Sequence, residues 1–188
     1  MRKTPKYTLE AALMADGVDP KDVYSVLATP AGVERAFHKL DELKPNIVWW
    51  ITVAQVPDLL ASGEVAMSMA TPGRLILANR TNGRNFKVVW DENIYAVDFW
   101  VILHGSPRKA EAMRLLQYMT QAENEVRLPL FIPTGLSNKQ AIAALDPAFK
   151  QDTPSNPENV RHALALDPQF WMENGDSLTQ RFNAWAAQ

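Results

Sequence analysis

The stretch Ile47-Val48-Trp49-Trp50-Ile51-Thr52-Val53-Ala54, broken by Gln55 and Pro57, leads through Val56, Leu59 and Leu60 to Val65-Ala66-Met67-Ser68-Met69-Ala70. Ile47 to Trp50 are consecutive apolar residues, the pattern of a strand buried on both faces in a parallel sheet. Val56, Leu59 and Leu60 have helical spacing, and Ser62-Gly63 ends that helix. Val65 to Ala70 then reads as a second strand. Strand, helix, strand is the βαβ unit, and it predicts an α/β fold with a mostly parallel sheet and flanking helices.

Upstream, Thr8 is placed to cap a short helix carrying Leu9, Ala12 and Leu13, closed by Asp16-Gly17. Asp19-Pro20 and Thr29-Pro30 each read as a cap followed by a first-turn proline. The second of these opens an amphipathic helix with Val33, Ala36, Phe37 and Leu40 toward a core. Downstream, Thr71-Pro72-Gly73-Arg74 is a loop or helix start, Asn82-Gly83 a turn, and Phe86 to Trp90 a strand. Ile94-Tyr95-Ala96-Val97-Asp98-Phe99-Trp100-Val101-Ile102-Leu103 is apolar apart from one carboxylate and one phenol. Ser106-Pro107 starts a helix with Ala112, Leu115, Met119, Ala122 and Val126 along one face. Pro129 and Pro133 flank an extended Leu130-Phe131-Ile132. Ser137 with Gln140 forms a capping-box pattern, Asn159 to Leu166 reads as helical, and Ser177 with Gln180 boxes a last helix presenting Leu178, Phe182 and Trp185.

Composition narrows the chemistry. The 188 residues, 47% hydrophobic, are enough for one or two domains with a real core. Cysteine is absent, so thiolate catalysis and cysteine-ligated clusters are excluded. Nineteen basic against twenty-one acidic residues form no basic stripe, which argues against a nucleic-acid partner. The longest apolar run is too short to cross a bilayer, and no apolar segment of a secretory signal follows the basic start. Six tryptophans are many for this length, and each suits a packed core or an aromatic ligand wall.

His38, His104 and His162 sit on separate elements without ligand spacing, so no metal site is expected, and no glycine-rich cradle suggests a cofactor. Ser106 reads as a helix cap rather than a nucleophile. Asp98 stands out. A carboxylate inside an apolar run must be satisfied by an internal donor or by a ligand. Tyr95, Trp90 and Trp100 could wall an organic cation beside it. Arg74, in the loop after a strand, could instead meet an anion, or serve as a plain surface arginine.

Taken together, Lys44-Pro45-Asn46-Ile47-Val48-Trp49-Trp50, Gln55 to Leu60 with Ser62-Gly63-Glu64-Val65, Val88-Val89-Trp90, the Asp98 run, Lys109 to Met119, Ile132-Pro133-Thr134-Gly135, Phe170-Trp171 and Leu178 to Trp185 carry a resemblance. In this order the chain resembles the extracellular solute-binding proteins of ABC importers, of the spermidine/putrescine-binding class. The likeness spans the whole chain and matches the C-terminal part of such sequences. It implies a type II periplasmic-binding-protein-like lobe. Residues 1–96 and 141–188 would form the second lobe, and 97–140 would belong to the first. It also implies a periplasmic or extracellular location, a membrane permease as partner and no cofactor. Asp98 matches the family aspartate that holds an amine. Thr52, Gln55 and Thr71, in loops after strands, would face the cleft, with Met69, Arg74 and Tyr95 as further ligand contacts. Ala96 and Met69 stand where the family has tryptophans, Tyr7 falls close to a family acidic residue and Ile132 near a family tyrosine. These departures favour a related small organic solute over a polyamine as such.

Three functions follow as expectations. The first is solute binding for import, without catalysis. The second is an α/β enzyme using Asp98, for which no partner base or nucleophile is evident. The third is an isolated lobe acting as an assembly module, with the 97–140 segment exposed and pairing two copies in a homo-dimer.

Overall fold

The computed structural model describes residues 1–188. The chain forms two compact units, one of Met1–Ala70, Glu92–Ile94 and His162–Gln188, the other of Thr71–Asp91 and Tyr95–Arg161.

In the first unit, α1 (Thr8–Ala15), α2 (Val23–Leu27) and α3 (Pro30–Leu43) are followed by α4 (Val56–Ala61), and the unit is completed by α11 (Pro168–Ala186). The helix starts follow from sequence. Thr29 accepts a hydrogen bond from the Gly32 amide at 3.0 Å, Pro30 occupies the first turn of α3, and Asp167 caps α11 through the Gln169 and Phe170 amides. Ala36, Phe37 and Leu40 face inward as their spacing predicts, against Leu9, Leu13, Val23, Leu27, Leu178, Phe182 and Trp185. Each fully buried Leu or Phe contributes roughly 1.5–3 kcal/mol.

Two local readings change. Thr8 lies inside α1 rather than at its cap, a position taken by Tyr7 with φ 72°. Ser177 does not begin a helix. Its hydroxyl donates to Asn174 O within the continuous α11, because the apolar stripe of Phe170, Trp171, Leu178, Phe182 and Trp185 continues across it.

The second unit holds α5 (Pro72–Asn82), α6 (Lys109–Met119), α7 (Ala122–Glu125), α8 (Leu128–Phe131), α9 (Lys139–Ala144) and α10 (Pro147–Lys150). Gly83 closes α5 in the left-handed conformation, as Asn82-Gly83 implied. Leu136, Ala141 and Leu145 form a small core under Val126, Leu128, Ile142 and Phe149. Glu125, 5% exposed, accepts from the Ser137 amide and hydroxyl and from the Asn138 amide at 2.7–2.8 Å, tying α7 to the start of α9. Asn138, rather than Ser137, caps α9. Asn159 to Leu166 is turn and strand rather than helix.

The larger correction concerns the sheet. Regular strands are confined to β1 (Ile94–Tyr95) and β2 (Leu164–Ala165), with the Leu164 amide donating to Asn93 O at 2.8 Å, and to a parallel bridge between Arg2 and Trp50. The runs Val65–Ala70, Phe86–Trp90 and Val97–Leu103 have no ladder. A strand exists only where a neighbour accepts and donates along its length, and within this chain these runs lack one. The local strand readings at Val65–Ala70 and Phe86–Trp90 are therefore not met, regular pairing being limited to that bridge and the short β1–β2 pair.

Candidate functional site

Three of the seven candidate residues, Thr52, Gln55 and Met69, belong to the first unit, and Thr71, Arg74, Tyr95 and Asp98 to the second. Thr52 and Gln55 form a capping box ahead of α4. Gln55 Oε1 accepts from the Ile51 and Thr52 amides at 3.0 and 2.9 Å, which orders the loop but occupies this carbonyl. The Trp50 indole, buried to 3% exposure, donates to Ser68 Oγ at 3.0 Å, and Ser68 Oγ donates to Met69 O at 3.0 Å. This relay ties Trp50 to the segment at Ser68 and Met69, while Thr52 and Gln55 hold the loop just after Trp50.

In the second unit, Thr71 precedes α5 and accepts the Arg74 amide through its carbonyl at 3.2 Å. Gly73 lies against the Pro133 carbonyl oxygen, leaving no room for a Cβ. Arg74 projects from the first turn of α5, exposed, and its side chain makes no ion pair or hydrogen bond. Asp98 is also exposed and its side chain has no partner. The expectation that Asp98 is desolvated in a buried strand is not met. Phe99, Trp100, Val101 and Leu103 are 71–79% exposed and Val97 65%, because no strand covers either face of this run. Tyr95, at 37%, stands at the start of the same run.

Most tryptophans serve packing. Trp50, Trp171 and Trp185 are buried, and Trp49 packs edge-on to Phe182 and Trp185 with ring centroids 5.9 and 6.1 Å apart. His38, His104 and His162 are exposed, and no group of three acidic or histidine side chains could hold a metal ion. A surface hollow of about 610 Å³ between α3 and α11 is lined by Phe37 and Trp185 together with charged side chains of both helices. Its rim charges are already used, Glu34 by Arg181 at 2.7 Å and Asp41 by the Trp185 indole at 2.6 Å.

Sequence reasoning passed over Glu10. Its carboxylate is fully buried, and Oε1 accepts from the Trp171 indole at 2.6 Å and the Tyr24 hydroxyl at 2.9 Å. Burial pushes it above the ordinary carboxylate range despite those bonds. The available signal was spacing, since Leu13 and Met14 lie three and four residues on and place Glu10 on an apolar face.

With the geometry in hand, comparison with known proteins supplies the class. Residues 1–157 match the family of bacterial extracellular solute-binding proteins, and the chain belongs to that family. A γ-aminobutyric acid-binding protein from Pseudomonas aeruginosa is 44% identical over all of this chain and 53% of its own. Among solved structures, an ABC transporter substrate-binding protein from Bradyrhizobium japonicum superposes with a TM-score of 0.83 at 33% identity, over 98% of this chain and 56% of that one. The periplasmic binding protein AgtB of A. tumefaciens, solved with agropinic acid, gives 0.78 at 30% identity over 100% and 58%. The chain thus spans about half the length of these relatives. Its fold class is the α/β class of periplasmic binding proteins, and the relatives named are binding proteins rather than enzymes.

Proposed function

We propose that this chain contributes to binding a small amino-acid-like solute, of the γ-aminobutyric acid kind, for import through an ABC permease at the periplasmic or extracellular face. The reading rests on the 44% identity to a γ-aminobutyric acid-binding protein along the whole chain. It is supported by the second unit, where a guanidinium and a carboxylate both stand exposed without partners. A zwitterion carries the complementary pair. Arg74 suits its carboxylate through a bidentate fork, Asp98 its amine, and Tyr95 offers an aromatic face to that amine. Thr71 is proposed as a neutral contact within the second unit, and Thr52, Gln55 and Met69 as solute contacts on the first unit taken by itself. A polyamine has two or more amines and no carboxylate, and leaves Arg74 without a role.

The lobe assignment, residues 1–96 and 141–188 to one lobe and 97–140 to the other, is part of this proposal. So is pairing of two copies through the exposed apolar surface of 97–140. Titration calorimetry of the purified chain with γ-aminobutyric acid and with putrescine tests the ligand. Heat with the amino acid that weakens about tenfold or more in both Arg74→Ala and Asp98→Asn is expected. Binding of putrescine alone, or of the amino acid unchanged in both variants, overturns it. Native mass spectrometry of the same sample reads the stoichiometry.

A further inference from the structure

The chain buries two carboxylates, and it treats them differently. Glu125 spreads three donors over both oxygens. Glu10, with no exposed surface, receives the Trp171 and Tyr24 donors on Oε1 alone, while Oε2 is buried without any hydrogen bond. An ionised carboxylate there would place charge on an oxygen with neither donor nor counter-ion, which is the costliest arrangement a protein interior offers.

No nearby charge repairs this. On α1 and its approach, the Lys6 ammonium lies 5.9 Å over the Tyr7 ring. From α2 the facing group is Tyr24, whose own phenol is pushed up by burial and by Glu10. From α11 it is the non-titrating Trp171, with Asp167 capping the helix and Glu173 accepting from Gln169. On α3, Arg35 and Lys39 are taken by Asp16 beyond the far end of α1.

We propose that the native first unit holds Glu10 as the neutral acid, its proton on Oε2, and that ionisation of this group loosens the junction of α1, α2 and α11 as pH rises. In the neutral form Oε1 remains the acceptor for both Trp171 and Tyr24, so the junction is complete. The raised pKa agrees, burial outweighing the Trp171 and Tyr24 bonds and the nearby Tyr7 and Glu10 amides, which make no hydrogen bond to Oε2. A carboxyl raised on folding gives stability that is whole below its unfolded value of 4.5 and drains as pH climbs through the folded value. The surface carboxylates Asp16, Asp19 and Glu34 are shifted the opposite way by Arg35, Lys21 and Arg181, so their contribution fades in acid and is separable from that of Glu10.

Thermal melting of the full chain between about pH 4 and 8 tests this, with Glu10→Gln as the isostere of the neutral acid. The parent should lose about 5 °C toward the alkaline end, and the variant should show none of that loss. An equal slope in both overturns the proposal. If Glu10→Gln does not fold, the parent decides. The Trp171 indole proton resonance, assigned by its absence in Trp171→Phe, should titrate with a midpoint above 4.5. A resonance that does not move, or that moves at or below this value, overturns the proposal.

Discussion

The indole nitrogen of Trp185 donates to Asp41 Oδ1 at 2.6 Å, joining side chains 144 residues apart. Lys44 holds the same residue twice, its ammonium 4.5 Å from the ring centroid and donating to the Trp185 backbone carbonyl at 2.8 Å. Removing the acceptor in Asp41→Ala should cost about 1–3 kcal/mol, because the mostly buried indole N–H is left unpaired. A double-mutant cycle with Trp185→Phe, read by urea unfolding, should show coupling of about 0.5–3 kcal/mol. Additive losses would mean that the bond stabilises nothing.

Phe182 is fully buried between Trp49 and Trp185. Phe182→Ala should destabilise the first unit by about 3–5 kcal/mol through lost transfer energy and the cavity left behind. Phe131, 74% exposed, is the matched control, and Phe131→Ala should stay within about 0.5 kcal/mol.

Gly73→Ala should weaken the second unit by about 1–3 kcal/mol, since its methyl group meets the Pro133 backbone oxygen rather than a side chain that can swing away. Hydrogen exchange should show faster opening of α5 and of the segment around Pro133. Protection equal to the parent's would show that the backbone accommodates the methyl group.

Glu125→Ala strips the partner from two backbone amides and one hydroxyl at the start of α9. About 2–4 kcal/mol should be lost, with Ser137 and Asn138 amides exchanging first. Glu125→Gln, which keeps an acceptor oxygen, should recover part of that loss.

The exposed pairs Asp16–Arg35 and Glu34–Arg181 hold their carboxylates below the ordinary value, chiefly by hydrogen bonding to the arginines. Their stabilisation is present above the unfolded carboxylate values and fades as pH falls through the lowered folded ones. Being solvent-exposed, it should shrink further in salt, so melting at about pH 5 should depend on ionic strength less in Arg35→Met or Arg181→Met than in the parent.

The helices were legible because their causes are local. Thr29-Pro30 and Asp19-Pro20 act over three or four residues, and Ala36, Phe37 and Leu40 announce their buried face by spacing alone. Strands were not, because Phe86–Trp90 and Val97–Leu103 have strand composition but a ladder needs a partner that composition does not supply. The same gap governs the candidate site. Asp98 looked desolvated because its neighbours are apolar, yet apolar neighbours bury a carboxylate only when another element covers them. Glu10 escaped notice for the converse reason, since what encloses it comes from Trp171, 161 residues away.

The first unit is assembled from chain segments on either side of the second, with α1 and α3 packed on an α11 that lies beyond residue 161. The aromatic faces of Phe37 and Trp49 therefore have no Phe182 or Trp185 to meet while only the early residues have left the ribosome. At about 5–20 residues per second the intervening stretch takes several seconds to appear. During synthesis the second unit can therefore fold before the first, whose aromatic core closes only once α11 has emerged.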